Sequence, residues 1–188
     1  MVHLPQGLNI GCGSQRIPGY LGVDVQRDAE VVMDLRSGSL PFPDASFSSV
    51  LCISAINYFT HERGKELIKE SYRVLKVDGV ARFGVQDMES IARRYVGKDL
   101  EFFFQKLPDG RERFEGATLG DKFAAWFYGY KAGTSCVNYA YDFESLSCLF
   151  RAAGFKTVER RQYRDSRLAE IEFIDNRPDQ MFFLEAVK

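Results

Sequence analysis

A short apolar segment, Leu8-Asn9-Ile10, runs into Gly11-Cys12-Gly13 and is followed almost at once by a second, Leu21-Gly22-Val23-Asp24-Val25. Both have strand composition, and a strand that ends in Gly-x-Gly lets a ligand approach the backbone where a side chain would otherwise stand. The acid of the second strand, Asp24, falls eleven residues after Gly13. At the carboxyl end of a strand, an ionised aspartate can accept two hydrogen bonds from a vicinal diol such as a ribose, each worth ~1.5–3 kcal/mol. The dinucleotide fingerprint instead needs a third glycine, where this chain has Arg16, and an acid about 20 residues further on. A nicotinamide oxidoreductase is therefore the weaker nucleotide reading. Asp34 repeats the Asp24 pattern at the end of a third strand, Val31-Val32-Met33-Asp34.

The rest of the chain alternates strands and helices. Ser49 to Ser54 is apolar on both faces and reads as a central strand, reached through the turn Pro41-Phe42-Pro43-Asp44. Thr60 caps a helix carrying Leu67, Ile68, Tyr72 and Leu75, with Val77-Asp78-Gly79 as its expected stop, and Val80 to Val85 forms the next strand in a right-handed crossover. Asp87 caps a helix that ends near Gly97. Asp142 caps another that ends at Gly154, before a strand from Phe155 to Glu159. The C-terminus reads as a hairpin of Glu170–Ile174 and Met181–Val187 around the turn 175–179. This is an α/β pattern.

Residues 98–141 interrupt it as a helical, aromatic-rich insertion after the fifth strand. Half of the 26 aromatic residues lie between positions 101 and 150, and Phe123, Trp126, Phe127 and Tyr130 recur at helical spacing. Core packing explains such a stripe; its place in the chain also makes it a candidate lid over an acceptor site.

Composition excludes several classes. With 188 residues, 45% hydrophobic and 27% charged, the chain is expected to form one domain over residues 1–188. A net charge of −1 supplies no field for nucleic acid or anionic lipid. Solvated strand faces account for the local basic stretch of Arg151, Lys156, Arg160, Arg161, Arg164 and Arg167, so a nucleic-acid partner is not expected. The start, Met1-Val2-His3-Leu4, lacks a signal-peptide pattern, and no apolar run reaches the ~18 residues of a membrane span. No membrane partner and a cytoplasmic address are expected. Cys12, Cys52, Cys136 and Cys148 contain no C-x-x-C pair, and with only His3 and His61 to assist them no metal site is expected.

Taken together, Leu8 to Gly13, Gly22-Val23-Asp24, Asp34-Leu35, Leu40-Pro41-Phe42-Pro43-Asp44-Ala45-Ser46-Phe47 and Arg73-Val74-Leu75-Lys76-Val77-Asp78-Gly79 resemble, in order, the motifs of class I S-adenosylmethionine-dependent methyltransferases. Ile17 to Tyr20, Tyr141 to Leu146, Ala153-Gly154-Phe155 and Asp175 to Pro178 resemble a short bacterial subgroup of them. The resemblance implies a Rossmann-like, mostly parallel seven-stranded sheet whose last strand is antiparallel, in agreement with the terminal hairpin. It implies S-adenosylmethionine as cofactor, with Gly11, Cys12 and Gly13 at the methionine moiety, Asp24 on the ribose hydroxyls with Val25 beside it, and Asp34 and Leu35 at the adenine. Ser54, Ala55 and Asn57 would complete the pocket.

The chain departs from that pattern in three ways. The link from Gly13 to Leu21 is too short for a crossover helix, Ala55-Ile56-Asn57-Tyr58-Phe59 stands where the subgroup commonly has an acid-histidine pair, and Gln86 replaces a usual proline. Asp87 and His61 are the candidate bases for a hydroxyl acceptor, weighed against a helix cap and a solvent-facing first-turn residue respectively. The expected activity is methyl transfer to a small-molecule acceptor such as a surface-glycan precursor, by a chain that can form a homo-oligomer. The alternative is a catalytically inactive S-adenosylmethionine-binding module that regulates or scaffolds a partner.

Overall fold

The computed structural model describes residues 5–129, 131–132 and 135–188. Its strands are β1 (Gly7–Ile10), β2 (Tyr20–Asp24), β3 (Val31–Val32), β4 (Phe47–Ile53), β5 (Leu75–Gln86), β6 (Lys131–Ala132), β7 (Ser135–Cys136), β8 (Thr157–Arg161) and β9 (Met181–Val187). Its helices are α1 (His61–Val74), α2 (Met88–Val96), α3 (Leu100–Phe103), α4 (Leu119–Tyr128), α5 (Phe143–Ala153) and α6 (Ile171–Ile174), with a 3₁₀ turn at Ile56–Tyr58. Seven strands form one sheet in the order β3-β2-β1-β4-β5-β9-β8. The first five pair in parallel, and β9 runs antiparallel between β5 and β8. This is the mostly parallel sheet with an antiparallel C-terminal pair that the sequence predicts. β6 and β7 make a separate two-stranded ladder.

Local chemistry sets most of the helix boundaries. The side chains of Thr60, Asp87 and Asp142 each accept the amide of the residue three positions on, and Gly154 ends α5 in the left-handed conformation. The main core lies on one face of the sheet, where Leu67 and Ile68 of α1 and Leu146 and Phe150 of α5 pack on Leu8, Ile10, Val50, Cys52, Phe83 and Leu184. The 98–141 insertion after β5 buries Phe102, Phe103, Phe114 and Trp126 against Ile91 of α2, with Phe123 and Phe127 half-buried beside them. Tyr130 lies outside the described residues, as do Met1 to Leu4, which include His3.

Three local expectations are corrected. Helix α1 ends at Val74, and the next residue already belongs to β5. The amides of Ala45 and Ser46 take the carbonyls of Arg73 and Val74, and Lys188 Nζ takes those of Tyr72 and Leu75, so tertiary partners end the helix before Val77-Asp78-Gly79 is reached. The strand expected from Phe155 begins at Thr157, because Phe155 is drawn into the core against Tyr72 and Phe150.

The segment expected as a strand, Glu170–Ile174, is helical over Ile171–Ile174. Ile171 and Ile174, three apart, turn inward while Phe173 between them stays exposed. Besides β5, the antiparallel partner of β9 is β8, which precedes it by the long connection 162–180.

That connection compensates for a missing helix. β1 and β2 are parallel neighbours joined by residues 11–19, which contain no helix to cover the sheet. Ile17 from this link and Leu168, Ile171 and Ile174 from the C-terminal connection cover Leu51 and Ile53 on that face instead. Gln15 Nε2 donates to the carbonyl of Phe173 at 2.7 Å, tying the two substitutes together.

Candidate functional site

Because β1, β2 and β4 are parallel neighbours, the loops that follow them meet at one edge of the sheet, the place where open α/β sheets bind ligands. A cavity of about 750 Å³ opens there. Its wall includes Gly11, Cys12, Gly13, Gln15, Asp24, Val25, Gln26, Arg27, Asp34, Leu35, Ser54, Ala55, Tyr58, Phe59, Asn176 and Arg177. The volume falls in the range of small-molecule and cofactor pockets.

The two glycines serve different ends. Gly11 has φ +68°, and a Cβ built on it would stand 2.4 Å from the Cβ of Ala55, so the β1 and β4 loops can close on each other only without a side chain there. Gly13, at φ +53°, has only Gln26 Nε2 at 3.8 Å in front of its missing Cβ. A side chain there would point into open space.

The Gly13 amide donates to Asp24 Oδ2 at 2.8 Å and the Gln26 amide to Oδ1 at 3.0 Å, which fixes the carboxylate rotamer against the cavity wall. Each oxygen keeps a lone pair for a ligand. Arg16, at the position of a dinucleotide fingerprint's third glycine, folds back: it donates to the carbonyls of Gly13 at 2.9 Å and Asp28 at 2.6 Å and pairs with Glu30 at 3.3 Å. It braces the glycine turn where a helix would otherwise begin.

The adjacent wall follows β3. Exposed Asp34 makes a bidentate pair with Arg36, at 2.8 Å for its closest contact, and hydrogen bonds from the Arg36 side chain and amide hold its carboxyl down at about 2. Buried Arg63 of α1 fixes the same loop by donating to the carbonyls of Leu35 at 2.6 Å and Gly38 at 2.7 Å. Burial pushes the Cys12 thiol up to about 11, so it is a neutral part of the wall.

Three residues singled out from the sequence stand elsewhere. Asn57 is buried, with its carboxamide donating to the Tyr139 carbonyl at 3.1 Å and accepting the Gln86 amide at 3.3 Å. It joins the ends of β4 and β5 behind the wall. Asp87 caps α2 and pairs with Arg160 at 2.9 Å beside a separate hollow of about 490 Å³. His61 packs its ring on Tyr139, 4.5 Å between centroids, and its Nδ1 is buried. None of these three, and none of Phe123, Trp126 or Phe127, lines the larger cavity.

Sequence reasoning did not single out Asn176 and Arg177 for the site. Asp175 before them is fully buried against Arg82 of β5, at 2.5 Å from Nη2 to Oδ2, and also accepts the Arg164 amide at 2.7 Å. Arg82 further donates to the carbonyls of Asp165 and Gln162. The connection 162–180 is thus clamped to the sheet, and its next two residues enter the cavity wall. Among the described residues no cluster of His, Cys, Asp and Glu is placed to hold a metal ion, and no helix is long and apolar enough to cross a membrane.

A family profile described as a methyltransferase domain matches residues 23–83. Solved structures extend the likeness over the whole chain. An S-adenosylmethionine-dependent methyltransferase from Thermotoga maritima superposes with a TM-score of 0.53 at 22% identity, covering 98% of this chain and 82% of its own. One from Archaeoglobus fulgidus gives 0.55 at 15% identity, covering 97% and 85%. One from Methanosarcina mazei gives 0.55 at 16% identity, covering 100% and 94%. A comparison with curated protein sequences finds no match. The fold is that of the class I S-adenosylmethionine-dependent methyltransferases.

Proposed function

We propose that this chain is a single-domain S-adenosylmethionine-dependent methyltransferase acting on a small-molecule acceptor. The observation that carries the reading is the carboxylate of Asp24, fixed by the Gly13 and Gln26 amides at the wall of a cavity bordered by the Gly11-Cys12-Gly13 turn.

The residues present fit an adenosyl group. Asp24 would accept the two ribose hydroxyls through its remaining lone pairs, with Val25 beside it. Gly11, Cys12 and Gly13 would leave room for the methionine moiety, and Asp34 and Leu35 would border the adenine, whose apolar contact Phe59 can supply. Ser54 and Ala55 close the opposite side. When bound, the cofactor supplies an electrophilic methyl on a positively charged sulfur, which passes to an acceptor lone pair as a neutral thioether leaves.

The protein's own contribution is alignment. Orientation alone can supply ~7–11 kcal/mol of such a barrier. A hydroxyl acceptor must also lose its proton, and Asp87 and His61, the candidate bases in sequence, lie outside the cavity wall. That placement favours an acceptor needing no dedicated base. It equally supports a second reading, a binding module without turnover.

Calorimetry with S-adenosylmethionine and with NAD tests the cofactor: binding of NAD alone would remove the proposal. Incubation with labelled methyl donor and a panel of sugar, small-molecule and RNA acceptors tests turnover. Transfer to a small molecule is expected; tight donor binding without transfer to any class would favour the module.

A further inference from the structure

The charges in the cavity wall are mostly spoken for. Asp24 is held by two amides, Asp34 pairs with Arg36 at 2.8 Å, and Asp28 pairs with Arg16 at 3.2 Å. Arg177 has no carboxylate within ion-pair distance among the described residues. Its Nη1 donates only to Ser54 Oγ, at 3.4 Å, and that hydroxyl reaches Asn176 Oδ1 at the same long distance. These are weak bonds, and they leave most of the guanidinium's five donors unused.

The backbone here is held in a costly shape. Ser54 has φ +60° and Arg177 has φ +48°, so both residues of this contact lie in the left-handed region without being glycine. Such a conformation is unfavourable for a residue with a side chain and persists only where the surroundings impose it. Before Arg177, Asp175 is held by the solvent-free pair with Arg82 and by the Arg164 amide on the same carboxylate, and the Ser54 amide is tied to the Gly84 carbonyl at 2.9 Å. A buried ion network and two strained residues therefore keep an exposed, unpaired guanidinium on a cavity wall.

We propose that Arg177, with Asn176 beside it, is a preformed anion-binding end of this cavity, and that the acceptor carries a carboxylate or phosphate which it engages. The acceptor assignment rests on the methyltransferase reading; the anion site does not. Arg177 is exposed, whereas Cys12 in the glycine turn is buried, so the guanidinium stands on the solvent side of the cavity wall.

The test titrates the full chain with inorganic phosphate and with acetate, with and without saturating S-adenosylhomocysteine, following the backbone amide resonances of Ser54 and Asn176 in every protein and the Arg177 Nε–H resonance in wild type. Saturable shifts are expected with both anions, and Arg177→Gln should weaken phosphate at least tenfold while changing S-adenosylhomocysteine affinity less than twofold. Arg177→Gly, which relieves the backbone strain, should lose phosphate equally and so separates charge from folding. Phosphate binding unchanged in both variants would overturn the site. A tenfold loss of S-adenosylhomocysteine in Arg177→Gln with methylthioadenosine affinity unchanged would overturn the acceptor assignment, because the guanidinium would then hold the donor's own carboxylate. If S-adenosylhomocysteine does not bind at all, the methyltransferase reading fails, and the phosphate arm without it still decides the anion site.

Discussion

Arg82 and Asp175, 93 residues apart in the chain, form an ion pair with both side chains completely withdrawn from solvent, Nη2 to Oδ2 2.5 Å. Arg82 also lies 3.5 Å from Glu185 of β9, which is equally buried and pairs with Arg167 at 2.9 Å. Burying charges is expensive, and such pairs often stabilise less than apolar residues of the same size would. What this pair does is geometric. It pins the segment that covers the sheet face left bare by the short β1–β2 link, and it hands Asn176 and Arg177 to the cavity.

Removing one partner exposes that cost. Asp175→Ala should destabilise the fold by ~3–5 kcal/mol, because buried Arg82 loses its closest carboxylate and keeps only Glu185 at 3.5 Å and the carbonyls of Asp165 and Gln162. The double change Arg82→Met with Asp175→Leu should recover most of that loss. Urea denaturation of the three proteins checks the stabilities; the double variant should still bind inorganic phosphate more weakly than wild type, since the backbone at 176–177 is no longer clamped.

The two glycines should separate stability from binding. Gly11→Ala combines a left-handed backbone with a Cβ 2.4 Å from Ala55, and should cost about 2–4 kcal/mol and lower Tm by about 5–15 °C. Gly13→Ala meets no neighbour and should cost only the ~1–2 kcal/mol of its backbone conformation. Its added methyl should nonetheless weaken cofactor binding. Thermal melts and calorimetry on both variants check this.

Much of this geometry was legible in the sequence because it is local. The Gly-x-Gly turn, the acid eleven residues on, and the caps at Thr60, Asp87 and Asp142 each act within a few residues or between adjacent strands. Ile171 and Ile174 were misread because alternation and helical spacing cannot be told apart over so short an apolar run. Arg177 lies in the segment Asp175 to Pro178 that resembles the subgroup, but nothing local puts it in the cavity: that follows from Asp175 meeting Arg82 across the sheet. Asn57 sits at the expected point in the chain, just after β4, but its carboxamide is consumed by the backbone at Tyr139 and Gln86.

Thiol chemistry gives a further check. Burial raises Cys12 to about 11 and Cys52 to about 12, while Cys148 is exposed. At pH 8 a disulfide reagent should modify Cys148 rapidly and Cys12 and Cys52 only as fast as the protein opens, as mass spectrometry of the labelled peptides would show. Both buried thiols have folded values above the ordinary 9.0, so unfolded chains release these protons first. Their contribution to stability is complete below pH 9 and should decline as pH rises through about 11 for Cys12 and about 12 for Cys52. Replacing Cys12 and Cys52 by Ala should flatten that part of the stability profile; an unchanged slope would show that other groups cause it.

Asp34 should keep its charge in acid. With its carboxyl held at about 2 by Arg36, the pair persists until pH falls through that value, and any stability it adds is present above the ordinary carboxylate range. In Arg36→Gln the Asp34 carboxyl should rise toward 3.8, its usual value, and stay below it because the residue 36 amide still donates, which carboxyl-carbon NMR resolves.

The most direct measurement is a calorimetric titration of the wild-type chain and of Asp24→Asn with S-adenosylhomocysteine. One saturable site is expected for wild type, weakened roughly ten- to hundredfold in the variant, the equivalent of losing ~1.5–3 kcal/mol of charge-assisted bonding. Equal affinity in both proteins, or no heat from wild type, would contradict the placing of an adenosyl ribose on Asp24.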